Sequence, residues 1–144
     1  MIKKKRLLWI ILIPVTALII LGLSLYFGNL YPKYQAGKII EWTGIEGGLV
    51  AHFNCGDGQL TAGLRANDQY VVHGISRSDE SVEQARDFIQ KQEVYGKVSI
   101  DLWQGEKLPY SDDLVNLLVI DQGPRVSQDE IMRIFAAKGV AMVK

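Results

Sequence analysis

The chain has 144 residues, and its 16 Lys and Arg balance 16 Asp and Glu to a formal net charge of zero. Residues 31–144 hold 12 of the bases and all 16 acids, a net of −4, which argues against non-specific nucleic-acid binding, since that needs a positive surface. One cysteine excludes an internal disulfide framework and a four-cysteine zinc site, and 48% hydrophobic residues exclude a disordered chain. Residues 1–6 form a basic head with Lys3, Lys4, Lys5 and Arg6. From Leu7 to Phe27 run 21 uncharged residues. As a helix this stretch measures about 31 Å, close to the hydrocarbon thickness of a bilayer. It reads as a transmembrane anchor, and the alternative is a cleaved secretory signal, whose apolar stretch is usually shorter. Pro14 is tolerable in a spanning helix. Tyr26, Tyr31 and Tyr34 fall where an aromatic belt would lie. The positive-inside bias places the N-terminus in the cytoplasm, and both readings put the body outside it.

Residues 28–47 read as a connector, helical around residues 34–42 and closed by Gly44, Gly47 and Gly48. Residues 48–144 then alternate strands and helices. A glycine-bounded apolar run, residues 48–53, predicts a buried strand, and residues 59–66 predict a helix after a short turn. Residues 70–75 form a second strand. Ser78 caps a helix through Lys91, with Asp79 and Glu80 in its first turn and Val82, Ala85 and Ile89 on one face. Residues 97–102 and 114–120 read as strands three and four. Ser127 and Glu130 match a capping box, Lys138 and Gly139 close that helix, and residues 140–143 begin a fifth strand. This alternation implies an α/β fold with a doubly wound, mostly parallel, Rossmann-like sheet.

The turn Asn54, Cys55, Gly56, Asp57, Gly58 leads from the first strand into a helix. Glycines there let backbone N–H groups approach a ligand, although any tight strand–helix turn favours Gly and Asp. Cys55 lies near a helix N-terminus, which can lower a thiol pKa; the alternative is a small buried turn residue. His52 and His73 read as core or edge histidines, and Asp112 and Asp113 as turn chemistry. Asp121 ends the fourth strand at the carboxyl edge, where open α/β sheets bind ligands, and is a candidate for facing substrate.

Residues 48–61, GLVAHFNCGDGQLT, resemble the first motif of class I S-adenosylmethionine (SAM)-dependent methyltransferases. His73-Gly-Ile-Ser76, Leu108-Pro-Tyr-Ser-Asp112 and Lys138-Gly-Val-Ala141 follow in that family's order. The wording is particularly similar to methyltransferase-type domains of exported proteins that carry a PQQ-like β-propeller, and this resemblance implies a downstream propeller domain as a partner. The resemblance implies SAM as cofactor. It also implies two further strands, an antiparallel pair beside strand five, so the domain reads as incomplete.

Several ligand positions depart from the family pattern. Its acid-x-Gly-x-Gly-x-Gly motif maps onto residues 52–58, where Gly56 and Gly58 remain and Asn54 stands for the first glycine. Its ribose carboxylate falls on Ser76, a neutral hydroxyl that lacks charge-assisted acceptor geometry. Its adenine-side acid falls on Gln104, beside Gly105, with Glu106 as a nearby substitute. Arg77 favours a phosphate, as in phosphorylated dinucleotide sites, or is a solvated loop residue. Three expectations result: a membrane-tethered methyltransferase-like domain with an unknown acceptor, a non-catalytic scaffold of the same fold, and, third, a nicotinamide-binding domain. No residue reads as a catalytic acid or base, because methyl transfer depends mainly on alignment.

Overall fold

The computed structural model describes residues 2–121 and 126–143. It divides into two units, Met1–Tyr31 and Pro32–Lys144. Helix α1 (Ile2–Thr43) supplies the first unit. There Leu18, Ile19, Ile20 and Leu21 are exposed apolar side chains. By length and composition, Pro14–Thr43 is long and apolar enough to cross a membrane, a property that signal sequences share.

In the second unit the last turns of α1 carry Ala36 and Ile39 into the core. The helix stops at Gly44, whose φ of 64° lets its N–H reach the Ile40 carbonyl at 3.1 Å. The chain continues as β1 (Gly48–Phe53), α2 (Gln59–Leu64), β2 (Tyr70–Ser76), α3 (Asp79–Lys91), β3 (Val98–Leu102), β4 (Val115–Ile120), α4 (Gln128–Ile134) and β5 (Phe135–Val143). The five strands form one sheet in the order β3-β2-β1-β4-β5, and every pairing is parallel. Such a sheet buries both faces, so its strands are nearly continuous apolar runs. In β1, consecutive Val50 and Ala51 are both fully buried. Val50 joins Leu64, Val72, Ile89 and Leu117 on one face, while Ala51 joins Phe53, Ile75, Leu118 and Ile134 on the other.

Two helix starts follow from capping chemistry. The Ser78 hydroxyl accepts from the Ser81 N–H at 3.3 Å, and the Ser127 hydroxyl accepts from the Glu130 N–H at 3.2 Å. The second cap departs from the expected reciprocal box. Glu130 instead accepts from the Leu108 N–H at 2.7 Å and from Arg133 at 2.6 and 3.0 Å. Arg133 also donates to the Tyr110 and Leu108 carbonyls and to Asp112. Residues 108–112 are thereby clamped to α4.

Two boundaries also differ from expectation. α2 ends at Leu64, two residues early, where Arg65 leaves helical geometry with ψ at 74°. α4 ends at Ile134, before Lys138 and Gly139, because the N–H groups of Asp113 and Leu114 take the Arg133 and Ile134 carbonyls. β5 therefore starts at Phe135 and passes through a bulge that includes Lys138 at φ 65°. At the opposite border, Arg86 donates from Nε to the Ile100 carbonyl at 2.8 Å and from Nη2 to Asp101 at 2.8 Å, covering edge strand β3.

The clamp predicts an acid response. The Arg133 guanidinium hydrogen-bonded to Glu130 holds that carboxyl below its ordinary value of 4.5, against the opposing effect of burial. A depressed folded value means the stabilisation is complete above about pH 4.5 and is lost as pH falls through the folded value. Glu130→Gln should flatten that part of the acid-unfolding curve, followed by circular dichroism. An unchanged acid limb would remove Glu130 from the account.

Candidate functional site

The chain runs from β1 out through β2 and β3, then returns to place β4 and β5 on the other side of β1. Ligands of open α/β sheets bind outside the carboxyl ends of the strands at this reversal. Four segments meet there: turn 54–58 after β1, Ser76 and Arg77 at the end of β2, residues 103–105 after β3, and Asp121 after β4.

The turn is built by left-handed backbone. Asn54, Gly56 and Gly58 have φ of 62°, 54° and 81°. Asn tolerates this region better than most residues, so Asn54 can hold the turn's first left-handed position. The Asn54 and Cys55 N–H groups both donate to the Ile75 carbonyl, at 2.8 and 3.2 Å, and tie the turn to β2. Gly56 and Asp57 are exposed. Asp57 accepts from the Gln59 N–H at 3.1 Å and the Gln59 amide at 2.8 Å, which opens α2. Cys55 is 3% exposed, and burial pushes its thiol up to about 11. It is a buried turn residue rather than an activated nucleophile.

Beyond β2 the local chemistry is already committed. Ser76 is fully buried, and its Oγ accepts from the Ser78 N–H at 3.2 Å. Its carbonyl accepts from the Trp103 N–H at 2.8 Å. Arg77 lies with its guanidinium carbon 4.6 Å from the centre of the Trp103 ring and donates to the Gly105 carbonyl at 3.1 Å. Trp103 is anchored by Nε1–H to the Lys107 carbonyl at 2.8 Å and meets Phe53 edge-on at 5.2 Å. Gln104 and Gly105 are exposed beside it. The half-buried Asp121 donates its N–H to the Phe53 carbonyl at 3.1 Å, so it borders the turn.

The fold thus gathers turn 54–58, Ser76, Arg77, Gln104, Gly105 and Asp121 along one sheet edge. It adds Trp103, which no motif marks; an indole directly after a strand at this edge is the signal that points to it. Both histidines stand on interior strands of the sheet, His52 on β1 and His73 on β2. His52 Nδ1 lies 2.7 Å from Thr61 Oγ1, and His73 Nε2 lies 3.0 Å from Asp101. Asp112 pairs with Arg133, and Asp113 has φ of 57°, as turn residues do. Among the described residues no group of three or more His, Cys, Asp or Glu is placed to hold a metal ion.

No family model matches the chain, and no curated protein matches it. Solved structures do. A proposed SAM-dependent methyltransferase of Methanococcus maripaludis superposes with a TM-score of 0.70 at 22% identity, over 81% of this chain and 56% of that one. Geranyl diphosphate C-methyltransferase of Streptomyces coelicolor, solved with Mg2+, geranyl diphosphate and S-adenosyl-L-homocysteine, gives 0.67 at 14% identity, over 76% and 44%. The cyclase SpnF gives 0.66 at 21% identity, over 77% and 43%. The chain therefore shares its α/β fold with SAM-dependent methyltransferases and spans about half the length of these structures.

Proposed function

We propose that this chain is a SAM-binding, methyltransferase-like domain, tethered through the apolar stretch from Leu7 to Phe27 with its sheet outside the cytoplasm. The observation that carries the reading is the turn at the sheet's reversal point, where Asn54, Gly56 and Gly58 all hold left-handed backbone. The residues fit SAM in part. On the turn side, Asp57 and Asp121 bring negative charge to a ligand with a cationic sulfonium and ammonium. On the ribose side the fit fails, because Ser76 is buried and its hydroxyl is engaged by its own loop. When bound, SAM supplies an electrophilic methyl group, and the domain's task is to hold it in line with an acceptor.

A second reading, a non-catalytic module of the same fold, is favoured by that buried Ser76. Calorimetric titration of SAM into the detergent-solubilised full chain separates the two. We expect weak binding. Tight binding by the natural sequence would overturn the degenerate-site account and favour a working methyltransferase. Topology is tested by a C-terminal phosphatase fusion that works only after export. Activity is expected, and an inactive fusion alongside an active cytoplasmic reporter would overturn the external placement.

A further inference from the structure

The SAM reading leaves Arg77 unexplained, because a cation stands where a ribose would favour an anion. Resting on that reading, we propose that Arg77 closes the nucleoside end of the crevice by covering the face of Trp103, so a planar base enters only when the guanidinium swings away. Four observations converge on it. The guanidinium carbon sits 4.6 Å from the ring centre, a cation–π distance. Arg77 Nη2 is tied at 3.1 Å to the Gly105 carbonyl, which bridges the ends of β2 and β3. Trp103 itself is held still by its Nε1–H bond to Lys107 and by its edge contact with Phe53. It is only 7% exposed, although it stands at the ligand edge of the sheet.

The arrangement is asymmetric. Trp103 is fixed by three neighbouring segments, whereas Arg77 is an exposed side chain held by one stacking contact and one hydrogen bond. The guanidinium is therefore the part that moves. An adenine ring can replace it on the indole, since stacking on an aromatic face suits any planar base. Arg77 acts here by competing for the platform.

The test uses the full chain in detergent with Trp9→Phe and Trp42→Phe, leaving Trp103 as the single tryptophan of the natural three. In this background Arg77→Ala should make Trp103 fluorescence more quenchable by acrylamide before any ligand is added. Adenosine and SAM, titrated separately, should each bind about three- to tenfold tighter to Arg77→Ala than to the parent. Arg77→Gln, which keeps some bulk, should fall between the two. Unchanged quenching would overturn the proposal. So would tightening confined to the cationic SAM, since charge repulsion rather than cover would then explain it. Increased quenching with no binding of either probe would uphold the cover over Trp103 and refute SAM as the ligand.

Discussion

Gly58→Val should remove about 2–5 kcal/mol of stability, enough to leave the domain marginal or unfolded. Two costs add at this position. Gly58 holds φ of 81°, a region where left-handed geometry costs a residue with a Cβ about 1–2 kcal/mol. A Cβ there would also lie 2.9 Å from both Cα and Cβ of Ala85, so α3 would have to retreat from the start of α2. Forcing extra atoms into a packed contact typically costs about 1–3 kcal/mol. Urea unfolding followed by circular dichroism measures the total. A double-mutant cycle isolates the side-chain part: Ala85→Gly should harm a Gly58→Ala background less than it harms the natural chain, because it removes the Cβ contact and leaves the approach to the α3 backbone and the backbone strain. Gly58→Val with a natural midpoint would show that α2 and α3 part freely.

The second large effect is a gain. Ser76→Asp should tighten SAM by at least about tenfold, since a charge-assisted hydrogen bond contributes about 1.5–3 kcal/mol. The backbone is already suited to it. Ser76 Oγ accepts from the Ser78 N–H at 3.2 Å, and an aspartate makes the same local bond with one oxygen while offering the other to a ribose. Neighbouring Arg77 can offset the burial of the new charge, and it can also pair with it and mute the gain, so Arg77→Ala belongs in the same series. Asn54→Gly should help less. Asn54 already holds φ of 62°, so glycine relieves strain and bulk without adding a charged partner. Titration calorimetry on the full chain reads all three. Absence of binding even by the Ser76→Asp, Asn54→Gly double variant would favour the scaffold reading.

Both predictions draw on features of unequal visibility in the sequence. β1 was legible to the residue because glycines bound an unbroken apolar run, and α3 because Ser78 caps a helix with one apolar face. The α4–β5 junction was not. Lys138 and Gly139 look like a helix stop, but the N–H groups of Asp113 and Leu114 take the last α4 carbonyls several residues sooner. Those donors are distant in sequence, so no local pattern reveals them. The same holds for Glu130, whose carboxylate reads as half of a capping box and turns instead to Leu108 and Arg133. At the candidate site, glycines advertise turn 54–58, whereas the Arg77–Trp103 contact exists only because β2 and β3 pair in parallel and bring their ends together. A motif records spacing along the chain. It does not record what two strand ends do to each other.

The strand order also sets a schedule for synthesis. β1 pairs on one side with β2, which follows it closely, and on the other with β4, where Leu49 meets Val115. A chain emerging N-terminus first can join β1, β2 and β3 early, but the other border of β1 has no partner until Ile120 has been made. Val50 and Phe53, fully or almost fully buried in the finished sheet, wait in an unfinished one. Closing so long a loop is slow, and an open apolar border is where premature pairing occurs. The central strand, the most protected in the finished fold, is the most exposed while the chain is being made.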